Sequence, residues 1–169
     1  MDICKIAIEK ENKMEHFYNQ LYKESTHFGL KNIFFMMSNE EKKHANKFKQ
    51  IIEDKNISKK ISVLDSDITP LDMPKIKNIL NEIKKIHDIQ YISKTEQEIY
   101  LNICNLEKES EKFYLDMVSI TDENKLKQLL RAFALEERNH YFLMCDIYEM
   151  VRAPTIWVEN AEFNHMKEY

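Results

Sequence analysis

The chain of 169 residues is long enough for one domain with a buried core, and one glycine and three prolines are too few for a turn-dense β architecture. Lysine, glutamate, leucine, isoleucine and asparagine dominate, a composition that favours long helices. The formal net charge is −4, the charges of both signs are interspersed, and no apolar run reaches the roughly 18 residues of a membrane span, so the composition indicates neither nucleic acid nor membrane binding.

Apolar residues recur every three or four positions in four long stretches. This spacing is typical of α-helices that bury one face, and it predicts helices at about 3–24, 27–53, 95–119 and 122–151. Ser25 and Thr121 stand between the helices of each pair, and each is a candidate cap for the helix that follows. Ser93 and Glu96 form a candidate capping box for the third long helix.

Residues 54–94 connect the two helix pairs and include a short amphipathic helix at about 75–89. A connection of this length can cross a bundle and let the second and third long helices run parallel, as in ferritin-like topology. We therefore predict an all-α, ferritin-like four-helix bundle over 1–153. The tail, 154–169, is expected to pack on the bundle or on a partner subunit through Trp157.

The three cysteines, Cys4, Cys104 and Cys145, are odd in number and share no C-x-x-C spacing. This arrangement favours reduced thiols over a disulfide framework or a zinc site built from thiolates. The charged N-terminal segment, MDICKIAIEKEN, does not match a signal peptide. These features predict a cytoplasmic protein whose cysteines serve as small apolar core residues.

The two helix pairs are halves of an internal repeat, at about 3–53 and 95–151. Alignment of Glu11 with Glu107 sets an offset of 96 residues, and no gap is needed at any point. The same offset aligns the following further pairs: Tyr18 with Tyr114, Glu41 with Glu137 and His44 with His140.

Six polar residues interrupt the predicted core-facing stripes: Glu11, Glu41, His44, Glu107, Glu137 and His140. Burial of a single charge costs on the order of several kcal/mol, and four neighbouring carboxylates would also repel one another. Two divalent cations would balance four carboxylates beside two neutral imidazoles. The alternative, buried polar pairs in a bundle without metal, leaves this charge unbalanced.

The spacing of these residues suits a di-metal site. Residues three apart share one helix face, so each Glu-x-x-His motif can supply two ligands to a metal site from a single helix. One glutamate from each remaining helix completes the ligand pattern of di-metal carboxylate bundles. Oxygen and imidazole ligands favour iron or manganese over copper, and the thiolates of structural zinc sites are missing. The neighbouring glutamates fall off the stripes and are expected at the surface: Glu9, Glu40, Glu109 and Glu136.

Tyr18 and Tyr114 lie two helical turns after Glu11 and Glu107. Two interpretations remain open for these tyrosines. They are either aromatic core residues or phenols that orient a ligand carboxylate.

The motifs A-I-x-x-E-x₆-Y and E-E-x-x-H, with their repeat equivalents, resemble the rubrerythrin branch of the ferritin-like superfamily. The resemblance implies a non-haem di-iron site with the six residues above as ligands and an oxo or hydroxo bridge between the irons. It implies that Glu41 and Glu137 bridge the two metals. Manganese or zinc could substitute for iron. The expected activity is that of a peroxidase or oxidase that uses hydrogen peroxide or oxygen, in a homodimer.

Two features depart from the rubrerythrin pattern. The chain has no rubredoxin module with paired C-x-x-C motifs, so electrons would have to come from a separate rubredoxin-type donor. Ser110 stands one turn after the third-helix ligand, where the rubrerythrin pattern has an additional glutamate. The leading hypothesis is an oxidoreductase. The alternatives are a ferroxidase that sequesters iron and a bundle whose metal is structural only.

Overall fold

The computed structural model describes residues 3–53, 73–85 and 94–153. It contains the following helices: α1 (Ile3–Glu24), α2 (Phe28–Glu53), α3 (Met73–Lys85), α4 (Lys94–Ile120) and α5 (Asn124–Arg152). No strand occurs within the described ranges, and the prediction of an all-α, ferritin-like fold is confirmed. The ends of the four long helices lie within two residues of their predicted positions.

Several sequence predictions fall partly or wholly outside the described residues. The short connecting helix begins at Met73, slightly earlier than predicted, and is described as far as Lys85. The first part of the connection, Ser93 of the candidate capping box and the tail 154–169 lie outside the description. Among the helices that are described, none combines the length and the apolar character needed to cross a membrane.

The buried positions of α1 step by three and four along the helix, as the hydrophobic pattern predicts. They comprise Cys4, Ala7, Glu11, Met14, Tyr18 and Leu21. Ala7 and Tyr18 are fully buried, and Glu11 lies between them on the same face. The polar residue is therefore part of the core-facing stripe and not an exposed neighbour of it.

The connections between α1 and α2 and between α4 and α5 share a backbone hydrogen bond at equivalent positions. The backbone amide of Ser25 donates to the carbonyl of Leu21 at 2.8 Å, and Thr121 donates to Met117 at 3.2 Å. Each bond extends the preceding helix by one i→i−4 link beyond its last residue. Both pairs are related by the repeat offset, so the equivalence seen in the sequence extends to backbone hydrogen bonds.

The role expected of Ser25 differs in the structure. Because α2 begins at Phe28, His27 occupies the position that a capping residue would take. The Ser25 hydroxyl donates to the carbonyl of His27 at 3.4 Å. Ser25 therefore stabilises the connection itself.

The chain divides into two compact units that interleave along the sequence. The first unit combines α1 and α2 with Leu115–Phe133, and the second combines α3 with the remainder of α4 and α5. The core of the first includes the fully buried Phe34 and Phe48, and that of the second includes Leu143 and Ile147. The assignment of 1–153 to a single domain remains a prediction.

Candidate metal centre

The first unit contains a buried cluster of two carboxylates and one imidazole. Glu11 on α1 and Glu41 on α2 are 0% exposed, and His44 on α2 is 1% exposed. Nδ1 of His44 lies 3.3 Å from Oε2 of Glu11 and 3.7 Å from Oε2 of Glu41. The candidate ligand atoms of these three residues all lie within 4.8 Å of one another. The three residues that the sequence singled out in this half are therefore brought together.

The carboxyl group of Glu11 is held in its ionised form. Burial acts to raise the pKa of Glu11, but hydrogen bonds with His44 and Glu41 and the charge of His44 outweigh it. The result is a pKa lowered from 4.5 to about 2. Glu11 is consequently a carboxylate at neutral pH, which is the form that binds a metal cation.

Aromatic packing fixes the plane of the His44 imidazole. The ring of Phe133 meets that of His44 edge-on, with centroids 4.9 Å apart and an interplanar angle of 77°. Phe48 in turn stacks on Phe133, with ring centroids 4.7 Å apart. An imidazole held in this way loses little further rotational freedom on binding a ligand. The sequence alone does not mark Phe133 as part of the site, because its place on the apolar stripe is that of any core residue.

The second unit contains an equivalent cluster. Glu107 on α4 and Glu137 on α5 are 0% exposed, and His140 on α5 is 2% exposed. Nδ1 of His140 lies 3.8 Å from Oε2 of Glu107 and 4.0 Å from Oε2 of Glu137. The candidate ligand atoms of this cluster also lie within 4.8 Å of one another.

The glutamates next to the clusters are not all at the surface. Glu9 and Glu109 are exposed, as expected, and Glu40 is half-buried. The expectation was wrong for Glu136, which is only 8% exposed. The stripe of α5 is wide enough to bury two successive residues, Glu136 and Glu137, and a helical stripe often exceeds 100° in width.

Tyr18 and Tyr114 are fully buried in their respective units. The ring of Tyr18 stacks on Phe34 with centroids 6.5 Å apart, and Tyr114 meets Phe113 edge-on at 5.1 Å. Both side chains thus contribute to aromatic core packing. Their action on a ligand carboxylate remains a prediction.

Ser110 is also fully buried, one turn after Glu107. Its hydroxyl donates to the carbonyl of Leu106, four residues earlier in the same helix, at 3.0 Å. This bond satisfies the hydroxyl within its own helix. The position therefore supplies no additional carboxylate to the cluster.

The donor chemistry of each cluster fits a divalent cation. Two carboxylates carry a charge of −2, which one divalent ion balances, and the imidazole adds a nitrogen ligand. Oxygen-rich sites with histidine are used for iron, manganese and zinc. In each cluster the imidazole presents Nδ1 to the carboxylates, so Nδ1 is the nitrogen available to a shared ion. Each unit therefore holds a buried Glu/His cluster that can hold metal.

A family model described as Rubrerythrin matches residues 2–143 of the chain. The match includes all six candidate ligands, and it confirms the resemblance inferred from the repeated motifs. The comparisons with curated proteins and with solved structures gave no match.

Proposed function

Because the chain belongs to the rubrerythrin family, we propose that it is a non-haem di-iron oxidoreductase. The proposed substrate is hydrogen peroxide or oxygen, and the proposed electron source is a separate, rubredoxin-type donor protein. We place this reaction in the cytoplasm, in a homodimer, where it would act against oxidative stress.

One observation carries the proposal: the chain buries the same Glu/Glu/His cluster twice, at equivalent positions of its repeat. A single buried cluster would fit many divalent cations in a structural role. Two equivalent clusters supply four carboxylates and two imidazoles, the ligand number of a di-iron carboxylate site. The proposed ligands are Glu11, Glu41, His44, Glu107, Glu137 and His140, with Glu41 and Glu137 bridging.

When two ferrous ions are bound, each can give one electron, which matches the two-electron cleavage of an O–O bond. The side chains of this protein set the conditions for that chemistry. The carboxylates and imidazoles are 0–2% exposed, so bulk water is kept from them. Exclusion of water strengthens the electrostatic attraction between carboxylates and a cation.

The histidines require a particular tautomer for this role. If Nδ1 of His44 binds the cation, its remaining proton must lie on Nε2. The edge of Phe133 packs against the ring of His44 and holds it in the orientation that presents Nδ1 to Glu11. His140 presents Nδ1 to Glu107 in the same way.

A second candidate function is a ferroxidase that sequesters iron, and Ser110 favours it. The additional glutamate of the rubrerythrin pattern is replaced by a hydroxyl that is bonded to Leu106. A site without this carboxylate has fewer ligands with which to follow a change in iron oxidation state. Iron oxidised there would be held less firmly and could pass to a store.

The two functions differ in the fate of the iron. We would mix the diferrous protein with one equivalent of peroxide, and separately with oxygen, and follow absorbance by stopped flow. For the oxidoreductase, we expect faster oxidation by peroxide, ferric iron that stays with the protein, and renewed turnover when a reduced rubredoxin-type donor is added.

A storage protein would behave differently under repeated additions of Fe(II) and oxidant. Iron would accumulate well beyond two ions per chain, and the donor would not restore the ferrous form. That result would replace the peroxidase assignment by iron sequestration. Tight binding of two ferrous ions that react with neither oxidant would favour a structural metal.

A further inference from the structure

A lysine is buried beside the imidazole of the first cluster. Lys47 on α2 is only 8% exposed, and its Nζ lies over the ring of Phe133, 5.6 Å from the ring centroid. The same ring meets the imidazole of His44 edge-on, with centroids 4.9 Å apart. Lys47 follows His44 by three residues, so both side chains project from one face of α2. The ammonium group and the candidate ligand are therefore held against a single aromatic ring.

The second half of the repeat has a neutral residue at the position of Lys47. The offset of 96 residues aligns Lys47 with Leu143, which is 0% exposed. The position is thus a core position in both halves, and a charge buried there costs more free energy than an apolar side chain. The face of an aromatic ring attracts cations, which compensates part of this cost. Among the described residues, Lys47 is the only lysine or arginine that is buried.

The second unit buries additional acidic residues instead. Glu136 and Asp146 lie on α5, the helix that carries His140, and are 8% and 4% exposed. Their equivalents in the first half are Glu40, which is half-buried, and Gln50, which is neutral and exposed. Apart from the candidate ligands, the described part of the first unit therefore buries one basic residue, and that of the second buries two acidic residues.

We propose that the two clusters bind divalent cations with different affinity, that the second cluster fills first, and that Lys47 sets the difference. A metal ion at His44 is repelled by the ammonium group of Lys47, whereas an ion at His140 is attracted by the additional carboxyl groups of its unit. Lys47 acts through its charge and is not one of the ligands. At limiting metal, the protein therefore carries its ion at the second cluster. This inference rests on the proposal that both clusters bind metal, and it does not depend on which oxidant reacts there.

Zinc titration of the metal-free, full-length chain tests the order of filling, because zinc binds without redox chemistry. Nuclear magnetic resonance of isotope-labelled histidine side chains reports each site separately, since the Nδ1 signal shifts when that nitrogen binds zinc. His44→Ala and His140→Ala assign the signals. At one zinc ion per chain, the His140 signal should shift largely and the His44 signal much less, as expected for an affinity ratio of about 10. Equal shifts of both signals, or a shift of His44 first, would overturn the proposal.

Variants of Lys47 separate its charge from its packing. Lys47→Met removes the charge and keeps a long side chain, so the zinc affinity at His44 should rise about 10-fold and the two signals should shift more nearly together. Lys47→Arg keeps the charge and should keep the wild-type order. Lys49→Met, at an exposed position of the same helix, is the matched control and should change neither affinity. If Lys47→Arg reduced the difference as much as Lys47→Met, the role assigned to the charge would be wrong.

A substitution in the second unit should act in the opposite sense. Asp146→Asn removes a buried acidic group and should lower the zinc affinity at His140 several-fold, with the affinity at His44 unchanged. An unchanged affinity at His140 would contradict the contribution of the buried acidic residues.

Misfolding of a variant would not obscure the result, because the order of filling in the unaltered chain is the primary measurement. Circular dichroism of each metal-free variant monitors its folding. The titration also separates this inference from the proposal on which it rests. Two zinc ions bound with equal affinity would refute the difference between the clusters alone, whereas a chain that binds no zinc would refute the metal centre as well.

Discussion

Arg138 donates two hydrogen bonds, of 2.8 and 2.5 Å, to a single carboxylate oxygen of Glu111. The bonds join α5 to α4 next to Glu137, one of the buried carboxylates of the second unit. The equivalent positions of the first half hold Lys42 and Glu15, whose charged atoms are 4.0 Å apart. The repeat thus places an ion pair beside each cluster, and arginine makes the closer one.

Arg138→Ala should therefore destabilise the protein more than Lys42→Ala. Both cations are at least half exposed, so the expected loss is small, about 0.5–1 kcal/mol for Arg138 and less for Lys42. Urea unfolding measures the free energy of unfolding of each single variant. It also measures a double variant of each pair, in which the partner glutamate (Glu111 for Arg138, Glu15 for Lys42) is replaced as well. An equal loss for the two single variants would show that the closer geometry has no energetic consequence.

The protein should bind two ferrous ions per chain, because the four carboxylates of the two Glu/Glu/His clusters balance two divalent charges. Anaerobic loading followed by metal analysis measures the stoichiometry. Glu41→Gln and Glu137→Gln should each lose more iron than Glu11→Gln, since a bridging ligand serves both ions. Glu109→Gln is the control, because Glu109 is exposed on the same helix as Glu107. Equal losses at Glu11, Glu41 and Glu137 would argue against bridging. Binding of one ion or none would refute the di-iron centre.

Metal should raise the melting temperature, because the clusters exist only in the folded chain. Binding at 100 times the Kd adds about 2.7 kcal/mol per site, which corresponds to roughly 5–10 °C for a protein of this size. Differential scanning calorimetry with and without anaerobic Fe(II) measures the shift. His140→Ala should remove much of it, whereas the exposed His16→Ala should retain it. A melting temperature that does not change when metal is added would contradict the prediction that the two clusters bind metal.

Tyr18→Phe and Tyr114→Phe distinguish the two interpretations of these buried tyrosines. If the phenol orients a ligand carboxylate, loss of the hydroxyl should weaken iron binding by about 10-fold or more. If the ring only fills the core, iron affinity should stay unchanged while stability falls by roughly 1 kcal/mol for a lost hydrogen bond. Competition with a chelator gives the affinity, and thermal unfolding of the metal-free protein gives the stability. Tyr22→Phe, outside the buried stripe of α1, is the control.

The sequence predicts the helices and the buried clusters well, because both depend on the 3.6-residue period of one chain segment. Glu11 is assigned to the core by its neighbours Ala7 and Tyr18 on the same stripe, and its burial agrees. The helix ends are less certain from sequence. Ser25 is a good capping residue, yet α2 begins at Phe28, because competing turns at a short connection differ little in energy.

Contacts between helices are what the sequence does not predict. The edge contact of Phe133 with His44 arises from the packing of two helices, and no spacing rule links residues that are so far apart in the sequence. The burial of Glu136 depends on the width of the covered face, which the periodicity alone does not define.

The contact between His44 and Phe133 sets an order of events during synthesis of the chain. A ribosome releases α1 and α2 first, so Glu11, Glu41 and His44 leave the exit tunnel well before the aromatic ring that braces the imidazole. Until residue 133 has emerged, His44 lacks that support and can rotate. Firm capture of an ion by the first cluster is therefore a late step, reached only when most of the chain has been made. A ribosome-bound chain that ends before Phe133 should therefore hold iron more weakly than the complete chain.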